Sequence, residues 1–267
     1  MPRTNVVAAL IGSLLVLAAC TTASPSSGAP SAAASATSTA SLATSPTPFP
    51  AAFQSGVPYA PTIDPADFVA NVDNPYFPLI PGSRWVMKGE GESAGEVTIT
   101  KVTTDTKTIL GVVCTVVRDE VDADGELQEL TFDWYAQDAA GNVWYFGEDT
   151  AEYKNGKVTS REGAWEAGVD GAQPGIIMPA DPVVGVTYRQ ELLTGEAEDM
   201  AKAVQLGASA ETPAGSYSDV LVTEDWTPLE PDVMERKFYA PGVGLVMERG
   251  IKGGRGLNRL TEFVQPH

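Results

Sequence analysis

The chain has 267 residues, of which 35 are acidic and 17 basic, so its formal net charge at pH 7 is −18. This charge repels phosphate groups, and we therefore predict no nucleic-acid partner. The chain contains one histidine, His267, and two cysteines, Cys20 and Cys114. These numbers exclude a histidine-activated nucleophile and the usual zinc, iron–sulfur and c-type haem sites, and we expect no cofactor.

Residues 1–19 predict a secretory signal. They contain one positive charge, Arg3, and an apolar run from Val6 to Leu17 that is too short to span a bilayer. Cys20 directly follows a Leu-Ala-Ala triplet, and this arrangement resembles the lipobox of bacterial lipoproteins. The resemblance implies that Cys20 receives a diacylglyceryl group and becomes the first residue of the mature protein. The alternative is an ordinary signal peptide that happens to end at a cysteine.

The acyl group on Cys20 would attach the protein to a membrane without help from its acidic surface. We predict an extracytoplasmic lipoprotein, on the outer face of the plasma membrane in a monoderm bacterium or an actinobacterium. In a diderm bacterium the outer membrane is the alternative. Thr21 is not the aspartate that resembles an inner-membrane retention signal, so a diderm host would favour the outer membrane.

Residues 20–60 form a predicted tether. The stretch 21–60 consists almost wholly of Ala, Ser, Thr, Pro and Gly and contains no charged residue. Such a composition buries too little apolar surface to offset chain entropy, so we predict that the tether is disordered. Residues 61–267 are numerous enough to build a substantial core, and we predict that they form a single β domain.

Two short elements open the predicted domain. Asp64 and Pro65 are typical of a helix start and predict a short helix that ends at Val72. Residues 74–82 contain three prolines, which predict a rigid extended segment rather than a central strand.

Apolar side chains alternate with polar ones from Arg84 onward. Val112, Cys114 and Val116, for example, share one face of a predicted strand, and turn residues separate such runs. About ten to twelve strands fit this pattern. It predicts a mainly β fold, a curved antiparallel meander that forms a half-barrel or partly open barrel with one or two short helices. Residues 196–204 fit either a helix or a strand.

Residues 163–183 interrupt the alternation. Their glycines and prolines surround the apolar run 176–178 and predict a long loop. The apolar tip of this loop either plugs one end of the barrel or belongs to a functional lid.

Aromatic side chains are concentrated on two predicted strands that a short turn connects. They either fill the core or line a concave pocket for a lipid, a polyprenyl chain or a similar apolar ligand. The candidate pocket residues are Trp85, Met87, Phe132, Trp134, Trp144, Phe146, Ile176, Ile177 and Met178.

Three other features could carry chemistry. Cys114 lies between valines, which predicts an inert core thiol rather than a nucleophile. Asp122, Asp124 and Glu126 alternate through one turn and are candidates for a calcium site, although an acidic solubilising hairpin explains them as well. A pair of carboxylates could serve glycoside hydrolysis, but among 35 acidic residues a chance pair is certain.

Two long motifs resemble an uncharacterised family of bacterial exported lipoproteins. The first is Asn74-Pro75-Tyr76-Phe77-Pro78-Leu79 with Pro81-Gly82 and Trp85, and the second is Phe132-Asp133-Trp134-Tyr135-Ala136-Gln137-Asp138 with Gly141-Asn142-Val143-Trp144-Tyr145-Phe146-Gly147. This resemblance implies export and lipidation but no particular activity. Residues 239–246 are similar to the strand–turn–strand ending of LolA- and LolB-like proteins, which implies a curved half-barrel and, by analogy, the handling of lipids or lipoproteins.

The leading hypothesis is a non-catalytic module that binds an apolar ligand or an envelope protein on a curved β-sheet. A cell-envelope glycan hydrolase that uses two carboxylates is one alternative, and a structural envelope protein is another. In each case the predicted membrane contact is the acyl group on Cys20.

We predict that Cys20→Ala removes the membrane anchor and leaves the domain folded, because we expect no other attachment in the chain. The variant should be secreted in soluble form and should incorporate no labelled palmitate. Metabolic labelling and detergent phase partitioning measure both effects. Cys114→Ala is the matched control, since it removes the other thiol and should keep the label. Palmitate labelling of Cys20→Ala would contradict the assignment.

Overall fold

The structure is a computed structural model, which describes residues 58–254 and 256–266. The predicted signal 1–19, Cys20 and the tether up to residue 57 lie outside the described residues. Within the described ranges there are sixteen strands and two 3₁₀ turns, Pro65–Asp67 and Gly91–Ser93. The strands are β1 (Phe68–Val69), β2 (Arg84–Glu90), β3 (Glu96–Ile109), β4 (Val112–Ala123), β5 (Glu126–Asp138), β6 (Val143–Lys154), β7 (Lys157–Ser160), β8 (Trp165–Glu166), β9 (Gln173–Met178), β10 (Thr187–Arg189), β11 (Glu191–Leu192), β12 (Met200–Thr212), β13 (Gly215–Trp226), β14 (Met234–Ala240), β15 (Gly244–Lys252) and β16 (Leu257–Val264).

The predicted mainly β fold is confirmed. The strands join into one antiparallel sheet with the order β10-β12-β13-β14-β15-β16-β2-β3-β4-β5-β6-β9-β11, while β1 pairs with β5 and both β7 and β8 pair with β6. The two ends of this order, β10 and β11, follow each other in the chain and are separated by Gln190 alone. The sheet therefore curls into a barrel shape that is nearly closed, with one seam among the described strands.

Backbone contact holds the seam together. Gly175 of β9 lies against Gln190, and a Cβ added to Gly175 would be 2.3 Å from the carbonyl carbon of Gln190. The backbone N–H of Gln190 donates to the carbonyl oxygen of Asp199 at 2.8 Å, and its side-chain amide donates to Asp225 Oδ2 at 3.3 Å. Only a glycine permits this approach of two backbones, so Gly175 sets the distance across the seam.

The predicted helix from Pro65 to Val72 is wrong beyond its first turn. Asp64 caps that turn as expected, because its carboxylate accepts a hydrogen bond from the backbone N–H of Ala66 at 3.0 Å. The chain then continues as β1, which pairs with the end of β5. Pairing with an existing strand supplies hydrogen bonds that a helix of this length cannot form stably by itself. No part of the chain that the structure describes forms a helix with the length and hydropathy needed to cross a membrane.

The predicted loop at residues 163–183 contains two strands, β8 and β9, and β9 extends the sheet beyond β6. Ile176 and Met178 are fully buried. β9 itself contains Pro174 and Gly175. Gly175 is the residue whose missing side chain permits the backbone contact with Gln190 at the seam. Within residues 196–204, where either a helix or a strand was predicted, residues 200–204 belong to β12, which begins at Met200, and residues 196–199 lie between β11 and β12. The predicted number of strands was too low because β1, β7, β8, β10 and β11 have two to four residues each, too few to show a period.

The proline-rich segment is tied to the turn between β5 and β6. Asn74 is 2% exposed, and its side-chain amide donates to the carbonyl oxygens of Gly141 at 2.9 Å and Pro179 at 3.1 Å. Gln137 Oε1 accepts a hydrogen bond from the backbone N–H of Asn74 at 2.8 Å. The two sequence motifs thus meet in space and fix each other's position.

A β-bulge in β6 changes which side chains face the barrel interior. Asp133 of β5 lies opposite Glu148, whereas Tyr135 lies opposite Tyr145, so β6 contains one residue more than β5 between these pairs. Tyr145 and Glu148 are three positions apart and would face opposite sides of a regular strand. The bulge turns both toward the interior.

Gly147 makes this bulge possible. Its φ is +131°, and an added Cβ would lie 2.3 Å from the carbonyl oxygen of Trp165.

A second bulge occurs where β14 pairs with β15. It brings Leu245 and Glu248, which are also three positions apart, to the interior.

We expect Gly147→Ala to lower the free energy of unfolding by at least about 2 kcal/mol more than Gly156→Ala. Both glycines have positive φ, which costs a side chain about 1–2 kcal/mol. Only at Gly147 would the new Cβ also collide with backbone, because a Cβ at Gly156 meets nothing within 4 Å. Denaturant unfolding of the two variants measures the difference, and equal destabilisation would contradict the role given to Gly147.

Candidate ligand-binding cavity

The barrel interior contains a cavity of about 200 Å³. This is far more than the roughly 10–15 Å³ that a single water molecule requires. Its walls come from β2 to β6, β9, β11, β14 and β15, together with Phe77, Pro78 and Leu79 of the proline-rich segment. The cavity has an aromatic wall and an acidic wall.

The aromatic wall is a set of rings in mutual contact. Tyr135 and Tyr145 stack with 4.8 Å between their ring centroids, and Phe77 contacts Tyr135 edge to face at 5.3 Å. Trp165, which does not itself line the cavity, contacts Tyr145 edge to face at 5.3 Å. Trp85 contributes a further ring, which is held in place because its Nε1–H donates to the carbonyl oxygen of Val243 at 2.8 Å. Such packing gives the wall a defined shape.

The acidic wall contains seven carboxyl side chains and one ammonium group. The ammonium belongs to Lys237, whose Nζ lies 3.9 Å from both Asp225 Oδ2 and Glu248 Oε2. No other lysine or arginine lines the described cavity. The seven carboxyl residues are Asp119, Glu129, Asp133, Glu148, Glu191, Asp199 and Glu248.

The hydrogen bonding of these carboxyls is uneven. Asp119 accepts a hydrogen bond from Thr100 Oγ1 at 2.6 Å, and Asp133 accepts one from the hydroxyl of Tyr145 at 2.6 Å. Glu148 is 3% exposed, and its carboxylate has no hydrogen bond or ion pair among the described residues. A buried, unpaired carboxylate is costly unless it is protonated or gains a partner that brings positive charge or hydrogen-bond donors.

Burial raises the pKa of every carboxyl in the cavity. Loss of hydration is the largest cause in each case, and for Glu148 the negative charges of Asp133 and Glu191 add to it. The pKa rises to about 6 at Asp119 and to about 7 at Glu129, Asp133, Asp199 and Glu248, and it lies well above the usual range at Glu148 and Glu191.

Three of the nine predicted pocket residues line this cavity, namely Trp85, Met87 and Ile177. The other six do not line it, and the alternation of the strands explains why. The inward-facing residues of β5 are Glu129, Thr131, Asp133 and Tyr135, so Phe132 and Trp134 face outward. In the same way Trp144 and Phe146 face away from it on β6, and Ile176 and Met178 flank the inward-facing Ile177 on β9.

These outward-facing rings have structural partners. Phe68 of β1 contacts Trp144 and Phe146 edge to face, with ring centroids 6.3 Å and 5.5 Å apart. Lys107 Nζ lies 3.2 Å above the ring of Trp134. The outer aromatic side of the hairpin is therefore covered by the protein itself.

The other candidate residues are placed as follows. Cys114 is a buried free thiol, and burial raises its pKa to about 12, which confirms the predicted core thiol.

The candidate calcium ligands Asp122, Asp124 and Glu126 lie at the hairpin between β4 and β5. Within the described residues no group of three or more His, Cys, Asp or Glu side chains is arranged to hold a metal ion.

Sequence reasoning missed the acidic wall. Glu129 and Asp133 alternate with apolar residues on β5, and that alternation is equally typical of a strand whose acidic face meets solvent. The one signal in the sequence was Gly147, because an isolated glycine within a strand pattern indicates a bulge.

We expect the free energy of unfolding to fall as the pH rises from about 4 to about 7. Carboxyls with a pKa near 7 in the folded protein and near 4 in the unfolded chain bind more protons when folded, so their contribution to stability is complete below about pH 4 and is lost as the pH rises through the folded pKa. Each such group contributes up to about 1.4 kcal/mol per pH unit. Urea unfolding at a series of pH values measures this dependence.

Asp133→Asn should make the free energy of unfolding depend less steeply on pH, since the asparagine keeps an acceptor for the hydroxyl of Tyr145 but cannot ionise. Glu262→Gln is the matched control, because Glu262 lies on an exposed surface in an ion pair with Arg84. A free energy of unfolding that rises over the same pH range would contradict the burial of these carboxyls.

The chain matches no protein-family model and no curated protein. Solved structures similar to it include a protein predicted to be exported, with a YmcC-like fold, from Bacteroides fragilis, at 14% identity and a TM-score of 0.44 over 71% of this chain and 99% of that one. Another is a predicted lipoprotein from Parabacteroides distasonis, at 13% identity and a TM-score of 0.39 over 71% of this chain and 98% of that one. The resemblances to an exported lipoprotein family and to LolA and LolB stay predictions.

Proposed function

We propose that this protein is an extracytoplasmic, lipid-anchored, non-catalytic binding protein that holds a small ligand inside its barrel. The observation that carries the proposal is the cavity, which places a rigid aromatic wall beside a polar wall within one nearly closed sheet. Ligand sites commonly combine an apolar concave surface with a few polar groups, and the interior of a curved β-sheet is a frequent location. The membrane anchor in this proposal is the acyl group on Cys20.

The shape of the cavity supports a small ligand over a long lipid. Its volume of about 200 Å³ is below the roughly 300–1,000 Å³ of pockets that take drug-sized molecules. The apolar side chains Trp85, Met87 and Leu245 also line the cavity and would contact the apolar part of such a ligand. An envelope protein that docks on the outer surface is a separate possibility, and the cavity offers no support for it.

A glycan hydrolase is less well supported. The cavity does contain neighbouring carboxyls, but a polysaccharide needs an open cleft, and this space lies within the barrel. Hydrolysis by two carboxyls also requires one group that stays ionised beside one that is protonated. Here burial raises the pKa of all seven carboxyls by differing amounts, so these pKa values by themselves identify no acid–base pair.

The test is extraction of the ligand from the full-length protein purified from its own host in a neutral detergent. We expect mass spectrometry of the denatured protein to reveal a small molecule that the Ile177→Trp variant carries in much smaller amount, because the larger side chain would fill the cavity. Val158→Trp is the matched control, since Val158 is 46% exposed and lies outside the cavity. Identical extracts from the two variants would contradict the proposal, as would release of soluble sugars from host envelope.

A further inference from the structure

The interior of the barrel has too many acceptors for its donors. Seven carboxyls face the cavity, and Lys237 is the one cationic side chain that lines it among the described residues. Lys237 is itself placed between Asp225 and Glu248, at 3.9 Å from each. It therefore compensates one side of the acidic wall and leaves the other without a cation.

The uncompensated side centres on Glu148. Asp133 lies directly opposite Glu148 on the neighbouring strand, where like charges destabilise a sheet. Glu191, which is 4% exposed, approaches from β11 and adds a third carboxyl. Asp133 accepts one hydrogen bond from Tyr145, whereas Glu148 has none among the described residues although it is 3% exposed.

The buried polar atoms without a hydrogen-bond partner in the described part of the chain lie elsewhere and include a donor as well as acceptors. They are Ser83 Oγ, Trp165 Nε1, Glu235 Oε2 and Asn258 Oδ1, and none of these residues lines the cavity. The lack of donors therefore concerns the acidic wall alone.

An ammonium group would supply both the positive charge and the hydrogen-bond donors that the surroundings of Glu148 lack, because it is a cation with three N–H donors and no acceptor. A bare metal ion does not fit as well, since the described carboxyls include no group arranged to coordinate one. The aromatic wall gives a further reason for an organic cation. Tyr145 both donates to Asp133 and stacks on Tyr135, so an ammonium beside Glu148 would have its carbon chain against these rings.

We propose that the cavity binds a small organic amine, whose ammonium lies between Glu148, Asp133 and Glu191 and whose apolar part packs against Tyr135, Tyr145 and Phe77. This inference rests on the proposed binding function and names the chemical class of the ligand. The raised pKa of Glu148 supports it, since a bound cation would relieve the cost of ionising that group.

The test uses three probes of similar size, phenethylamine, 2-phenylethanol and 3-phenylpropionate, titrated calorimetrically into the full-length lipoprotein in a neutral detergent at pH 7.5. We expect the amine to bind at least tenfold more tightly than the alcohol and the carboxylate not to bind. Glu148→Gln should weaken the amine at least tenfold and change the alcohol less than twofold, because the amide keeps the shape of the side chain without its charge. Glu262→Gln on the outer surface should change neither.

The folding of Glu148→Gln is checked by its unfolding temperature, which should be close to that of the unsubstituted protein, because the amide keeps the shape of a side chain that has no hydrogen bond or ion pair among the described residues. If the alcohol binds as tightly as the amine, the inference is overturned while the cavity remains a binding site. If the amine does not bind, the inference is overturned whatever the host extract contains. Calcium that binds and depends on Glu148, in place of the amine, would also overturn it by assigning a metal site.

Discussion

Closure of the sheet at Gln190 determines which side chains this protein buries. The strands on either side of that residue belong to opposite ends of the sheet, and the close contact with Gly175 brings those ends together. Once the sheet is closed, every strand has an inward and an outward side, and half of its residues are enclosed whatever their polarity. The acidic interior is a consequence of this geometry, because residues that would meet solvent on an open sheet are placed inside.

The class of the fold could be predicted because its signal is local. Alternation in β3, β4 and β5 and the turns between them indicate antiparallel strands without knowledge of the partner strands. Strands of two or three residues, such as β8 and β11, have no period to detect. They form because neighbouring strands offer free backbone groups, which is information that lies elsewhere in the chain.

The cavity could be predicted only in part, for a different physical reason. Alternation groups Phe132 with Trp134 and Asp133 with Tyr135, and it does so correctly, but it does not state which group faces inward. Both sides of this hairpin are covered, one by the closed barrel and the other by Phe68 and its neighbours. Hydrophobicity therefore favoured the outward-facing side of β5 as the lining of the pocket. The bulge at Gly147 also changes the alternation of inward and outward side chains along β6, so that Glu148 and Tyr145 both lie on the inner face.

The pairing of β16 with β2 has a consequence for the order in which the barrel forms. These strands come from opposite ends of the described chain, and β16 fills the position between β2 and β15. Until the C-terminal strand is available, β2 and β15 are both exposed edges, which are prone to pair with other chains. Contacts so distant in sequence also make folding slow. A chain in which β16 has not yet formed thus has an incomplete barrel in which β2 and β15 each lack one neighbouring strand.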